Sequence, residues 1–209
     1  MQMNIALLHD FIVRPVLLED AENVVGLLAA IAYAEDSQQL EPLATLDASS
    51  EHAIVAIQAF WHSLDLAHDT QVVVTPDDVI VGYIDVKKVF ADAEHTSQCV
   101  RIHHVSGVHP AYTGRGIGTW LLRYAQAWTQ QHAGGEPMRI VAWLQHNNER
   151  ARRLFTREGY VCKGDHAYEA VQLDVHVNKR LVSQYDLYGK VITPDALTFL
   201  CEGTKNITL

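Results

Sequence analysis

The sequence predicts an α/β fold of the α+β kind, a mixed sheet with helices on both faces. Three observations predict it. The apolar period switches repeatedly between helical and strand-like along the 209 residues. A hairpin of β-branched strands precedes a strand–helix–strand–helix–strand succession. Within that succession Met138 to Leu144 is a nearly unbroken apolar run, as expected of a strand covered on both sides. The length suits one domain with a well-buried core and is short for two. The expected domain spans residues 1–190, with 191–209 a C-terminal extension that carries no readable pattern.

The elements follow in order. Phe11 to Val16 reads as a short strand. Asp20 can cap a helix whose apolar stripe is Val24, Leu27, Leu28 and Ile31. Ser49 or Ser50 can cap a second helix, with Glu51 in its first turn and a stripe of Ile54, Ile57, Trp61 and Leu64. Gln71 to Val74 and Val79 to Val89 form the hairpin, with Pro76-Asp77-Asp78 as its turn. Cys99 to Val108 is a further strand. From Ile117 the period is helical again, through Trp120, Leu121, Tyr124, Ala125 and Trp128, until Gly134 and Gly135 stop it. After the Met138 strand, Asn148 to Glu158 is a short helix ended by Gly159. Tyr160 to Cys162 begins a strand, and Leu181 to Tyr188 is the last one of the sheet.

Composition excludes several classes. Apolar residues make up 48% and charged residues 20%, an ordinary globular balance. No apolar run approaches the ~20 residues of a membrane span. The first ten residues lack a basic stretch followed by a long apolar core, so no signal peptide is expected and the expected compartment is the cytoplasm. The net charge of −9 disfavours nucleic acid and suits a cationic substrate. Three scattered cysteines and twelve histidines form no recognisable metal pattern, so no metal is expected.

The most informative stretch runs from Val108 to Thr119 and joins a strand to an amphipathic helix. Gly114, Gly116 and Gly118 alternate there. Glycine allows positive φ and close approach of a ligand to the backbone. Free amides at a helix start, together with the dipole, hold an anion such as a pyrophosphate. The turn lacks the Gly-Lys-Ser/Thr of a P-loop. Its G-x-G-x-G spacing also differs from the dinucleotide fingerprint.

Val108-x-Pro110 followed by Thr113-Gly114-Arg115-Gly116-Ile117-Gly118 resembles the acetyl-CoA motif of the GNAT superfamily, (Arg/Gln)-x-x-Gly-x-(Gly/Ala). Asn148 to Tyr160 is similar to that family's next motif, N-x-x-A-x-x-L-Y-x-x-x-G-(F/Y), and the order and separation agree. Arg14-Pro15 followed by Asp20 resembles the family opening. The resemblance covers roughly residues 11–188. It implies a mostly antiparallel sheet and acetyl-CoA as co-substrate. It also implies transfer of acetyl by direct attack, in a ternary complex, onto an amine of a small molecule, peptide or protein, and it admits a homodimer. Ser106, Val108, Thr113 to Thr119, Asn148 and Phe155 are the implied cofactor-binding positions. Two departures stand out. Thr113 replaces the motif's Arg/Gln, and Phe155 replaces a tyrosine that in the family sits near the thioester sulfur as general acid. Phe155 leaves open a second reading, a binding module that keeps acetyl-CoA and has lost turnover. A nucleotide binder of another class is the third.

Amine attack requires loss of a proton, since alkyl ammonium groups titrate near ~10. Strand alternation puts Ile102, His104, Ser106 and Val108 on one face and His103 on the other. Family members often carry Glu or His at the position of His104, facing the acceptor. His104 is therefore a general base or the anchor of a water relay, or else a hydrogen-bonded histidine of the cleft wall. The resemblance makes the backbone N–H of Val108 the oxyanion donor. The leaving thiolate has no clear acid: Ser106, Tyr160, Cys162 and Tyr185 are weak candidates. Asn148 is a pantetheine contact, a helix cap, or both.

Overall fold

The structure, a computed structural model, describes residues 10–34, 51–90, 98–102, 106–164 and 185–193. Its first elements are β1 (Ile12–Arg14), α1 (Ala21–Ala34), α2 (Glu51–Trp61), α3 (Leu66–Asp69), β2 (Thr70–Val74) and β3 (Ile80–Phe90). Then come β4 (Gln98–Ile102), β5 (Gly107–Val108), α4 (Ile117–His132), β6 (Met138–Gln145), α5 (Glu149–Arg157), β7 (Val161–Cys162) and β8 (Tyr185–Ile192). The chain divides into two compact units. The first holds the described residues up to 85 and 106–121, the second 86–102 and those from 122 on. β3 and α4 each run from the first into the second.

In the first unit β1 pairs with β2, β2 with β3, and β3 with β5, all antiparallel. Strand alternation sends Val72, Val74 and Tyr83 to one face, where Val24, Leu27 and Leu28 of α1 and Trp61 of α2 complete a core. Val73 and Gly82 take the other face, against Ile117 at the start of α4. This unit thus has helices on both faces, each stripe buried as its apolar spacing requires. The hairpin turn needs a left-handed residue, and Asp78 supplies it at φ 60°. Asp20 does not simply cap α1. Its carboxylate accepts from the Leu17 amide at 2.8 Å and from both terminal nitrogens of Arg14 at 2.6 and 2.8 Å.

In the second unit the later part of β3 pairs antiparallel with β4. β4 and β6 are parallel, β6 and β8 antiparallel, and β8 and β7 antiparallel. The sheet is mixed and mostly antiparallel. Cys99, Val141, Trp143 and Leu187 form an apolar cluster on one side of it, with Val89 packed against them. The other side meets α5, whose Phe155 ring packs edge-on against Tyr188 of β8.

Three expectations change. The single strand Cys99 to Val108 is interrupted. Val86 faces Ile102 in one ladder and Tyr83 faces Gly107 in the other, so the chain between the ladders has two more residues than the part of β3 it passes. The last strand, described from Tyr185, runs past Tyr188 through Val191 and Ile192, which pair with Arg139 and Met138, while residues 181–184 lie outside the described residues. The short helix α3 was not anticipated. The caps Ser49 and Ser50 and the end of the chain lie outside the described residues.

Candidate functional site

The turn before α4 is built from local bonds. Pro110 to Tyr112 form one 3₁₀ turn. The His109 Nδ1 accepts from the Ala111 amide at 3.2 Å, and the Thr113 hydroxyl donates to the Pro110 carbonyl at 2.8 Å. Gly114 and Gly116 then adopt φ 80° and 86°. Among the described residues, no heavy atom beyond the chain neighbours lies within 4 Å of where a Cβ would stand on either residue. The helix begins when the Trp120 amide bonds to the Gly116 carbonyl at 3.0 Å. The amides that precede this bond lie off the end of the ladder, at the positive end of the dipole. The first turn of α4 contains no acidic side chain. The exposed Arg115 lies over the Tyr112 ring at 5.1 Å. Ile117 is buried, while Gly118 and Thr119 are half-buried. The arrangement suits a diphosphate held by backbone, as the glycine pattern leads one to expect, and Thr113 serves the turn through its hydroxyl.

The strand entering this turn presents Val108. The His109 amide donates to the Val81 carbonyl at 2.8 Å. In an antiparallel ladder bonded and non-bonded pairs alternate. Val108, opposite Gly82, is thus in a non-bonded pair, and its N–H points away from β3. The Ser106 hydroxyl accepts from the Asp85 amide at 3.3 Å. His104 and its neighbours His103 and Val105 lie outside the described residues.

Beside Ser106 is a buried polar chain that sequence reading missed. The Trp61 indole donates to the Tyr83 hydroxyl at 3.0 Å, and that hydroxyl donates to Asp85 Oδ2 at 2.9 Å. Burial, with the Asp85 charge behind it, pushes the Tyr83 phenol well above its usual range, so it remains a donor. The available signal was Tyr83-x-Asp85 on the covered face of a β-branched run.

In the second unit Asn148 heads α5. Its Oδ1 accepts from the Ala151 amide at 2.9 Å, so the cap reading holds, and the side chain is half-buried. Phe155 is buried, with the Tyr160 ring edge-on at 4.8 Å and that of Tyr188 at 6.1 Å. Of the weak acid candidates, Tyr160 is buried and burial raises its phenol pKa, while Cys162 is exposed. Trp120 and Trp128 are buried, as expected. Arg123 pairs with Glu158 at 3.3 Å, and Arg150 and Arg153 are exposed.

β8 contributes a second missed feature. Asp186, Tyr188 and Lys190 alternate onto the face that meets α5. Arg152 of α5 donates through Nε to the Tyr188 hydroxyl at 3.2 Å and stands 3.7 Å from Asp186 Oδ2. The other carboxylate oxygen of Asp186 is 3.5 Å from the His146 Nε2. Lys190 donates to the Glu158 carbonyl at 2.7 Å and to Gln126 at 3.1 Å. Among the described residues no three His, Cys, Asp or Glu side chains are grouped as metal ligands. No helix among them is long and apolar enough to cross a membrane.

Residues 32–160 match the model of the acetyltransferase (GNAT) family. The chain is similar in structure to a GCN5-related N-acetyltransferase from Sphaerobacter thermophilus, at 23% identity and TM-score 0.60, over 74% of this chain and 44% of that one. It thus spans less than half of that protein. An acetyltransferase of the GNAT family from Staphylococcus aureus aligns at 12% identity and TM-score 0.62, over 88% of this chain and 99% of its own. The PaiA N-acetyltransferase of Thermoplasma acidophilum, solved with coenzyme A, aligns at 13% identity and TM-score 0.58, over 86% and 98%. At these identities the likeness is one of fold. No curated protein matches the chain in sequence.

Proposed function

This chain belongs to the acetyltransferase (GNAT) family; from that premise we propose that it is an N-acetyltransferase that moves acetyl from acetyl-CoA to a primary amine of a small molecule, peptide or protein, by direct attack in a ternary complex. The observation that carries the reading is the turn at Gly114 and Gly116, left-handed at both glycines, open on their Cβ sides and leading into a helix with no acidic first turn. A bound acetyl-CoA supplies the thioester. The amides of this turn hold its diphosphate, the Asn148 amide meets the pantetheine, and the outward N–H of Val108 receives the negative charge that develops on the carbonyl oxygen. His104 takes the amine proton or anchors the water that does. An acidic chain favours a cationic amine.

The reading is tested by thermal unfolding with acetyl-CoA, CoA, ATP and NAD. A rise with acetyl-CoA and CoA alone is expected. A rise with ATP or NAD instead overturns it. Thiol release is then followed with a diamine, a peptide with a free α-amine and a lysine peptide. Phe155, buried and without a hydroxyl, favours one alternative, an acetyl-CoA-binding module without turnover. That alternative predicts stabilisation by acetyl-CoA with no thiol release from any amine.

A further inference from the structure

We propose that Tyr112 is a positioning residue for the cofactor, a platform that holds the Arg115 guanidinium beside the glycine turn to meet a phosphate of acetyl-CoA. The inference rests on the reading of that turn as the cofactor's phosphate site. Its own basis is how the two side chains are held. Arg115 is flanked by Gly114 and Gly116, at φ 80° and 86°. The left-handed backbone at Gly114 brings it back over the ring three residues earlier, with Cζ 5.1 Å from the Tyr112 centroid. The ring has little freedom of its own. The Tyr112 amide closes the 3₁₀ turn on the His109 carbonyl at 2.9 Å. The His109 ring meets the Tyr112 ring edge-on at 5.6 Å, and that of Phe11, buried just before β1, at 6.1 Å.

A cation over a ring is held by the ring's quadrupole and spends none of its N–H donors. Among the described residues Arg115 makes no hydrogen bond and pairs with no carboxylate. It is also the one lysine or arginine between Val108 and Trp120. The charge balance calls for such a group. Coenzyme A brings a diphosphate and a 3′-phosphate, about four negative charges, against a helix end equivalent to about half a positive one. An arginine free in solvent loses rotamer freedom when it binds, and one already lying on a ring loses less. Its planar fork can then take two phosphate oxygens at once.

The test is calorimetric titration of the full chain with CoA and with 3′-dephospho-CoA. Arg115→Gln is expected to weaken CoA by about tenfold, and Tyr112→Leu by about threefold. Tyr112→Phe keeps the ring and is expected to bind as the wild type does. In an Arg115→Gln background Tyr112→Leu is expected to cost nothing more, since the ring acts through the guanidinium. A ring that only shaped the turn would still weaken binding there, so a further loss in that background overturns the proposal. Unchanged affinity in Arg115→Gln or in Tyr112→Leu overturns it too, as does a Tyr112→Phe as weak as Tyr112→Leu. The unfolding midpoint without ligand separates loss of fold from loss of positioning, and Tyr112→Met replaces Tyr112→Leu if that midpoint falls. A loss in Arg115→Gln seen with CoA and absent with 3′-dephospho-CoA supports the proposal and assigns the guanidinium to the 3′-phosphate. An equal loss with both supports it and assigns the guanidinium to the diphosphate. A wild type that does not bind CoA overturns the reading beneath, and that outcome is told apart because it appears before any variant is made.

Discussion

At Gly116 the backbone stands at φ 86°, and a side chain is barred less by crowding than by conformation. Gly116→Val is expected to abolish stabilisation by acetyl-CoA in the thermal assay, and retained stabilisation would mean that the turn holds something else. Gly82 is the opposite case. A Cβ there would stand 2.8 Å from Ile117 Cγ2 and 3.3 Å from Val73 Cβ, both in the packed interior of the first unit. Gly82→Ala should cost about 1–3 kcal/mol by overpacking, read from the denaturation midpoint. For His104, removal of a general base typically costs about 10²-fold or more. His104→Gln is expected to lower kcat/KM by that amount and to erase one ionisation from the pH–rate profile. An unchanged profile would withdraw the assignment. The glycines were legible in the sequence because left-handed backbone leaves few residue choices. Gly82 was not, since the need for a missing side chain on a strand comes from a helix reached thirty-five positions later, at Ile117.

Among elements, α5 was the easiest to read. Asn148 caps it, Gly159 at φ 83° follows its end, and Phe155 is its buried apolar anchor. The interruption between β4 and β5 could not be read. Cys99 to Val108 carries no proline and no glycine before Gly107, and a change of register is decided by the partner strand, here β3. β8 misled for another reason. Its face toward α5 carries Asp186, Tyr188 and Lys190, and each polar group is satisfied by a partner that lies far away in sequence. The link from β1 to α1 has its own pH signature. For Asp20 burial is the largest single influence and raises the pKa. The Arg14 hydrogen bonds and charge and the Leu17 amide together outweigh it, so the carboxyl is held below its usual range. The unfolded carboxyl titrates near ~3.9. The contribution of this pair is therefore full above that pH and is lost as pH falls through the lower folded value. Asp20→Asn should flatten the acid limb of a plot of Tm against pH below about 4. A limb as steep as in the wild type would show that other carboxylates carry it.

For the molecule as a whole, the family match over residues 32–160 and the order of the two motifs agree on acetyl transfer. The mixed sheet with flanking helices was legible from the alternation of periods, because each apolar stripe admits few ways of being covered, while its mostly antiparallel character was implied by the resemblance alone. The acceptor was not legible. No pattern in 18–68 or 166–190 names it, and a pocket for one particular amine is set by tertiary placement of residues that follow no shared spacing.

β8 lies between β6 and β7 although it is the last described strand in the chain. During translation β6 and β7 leave the ribosome first, and the apolar run of residues 138–145 has an open edge until residues 185–192 follow. Such an edge is a template for pairing with another chain. Nascent chains stalled before Tyr185 should therefore be held by chaperones or collect as insoluble material, and the step that releases them is the arrival of a single strand.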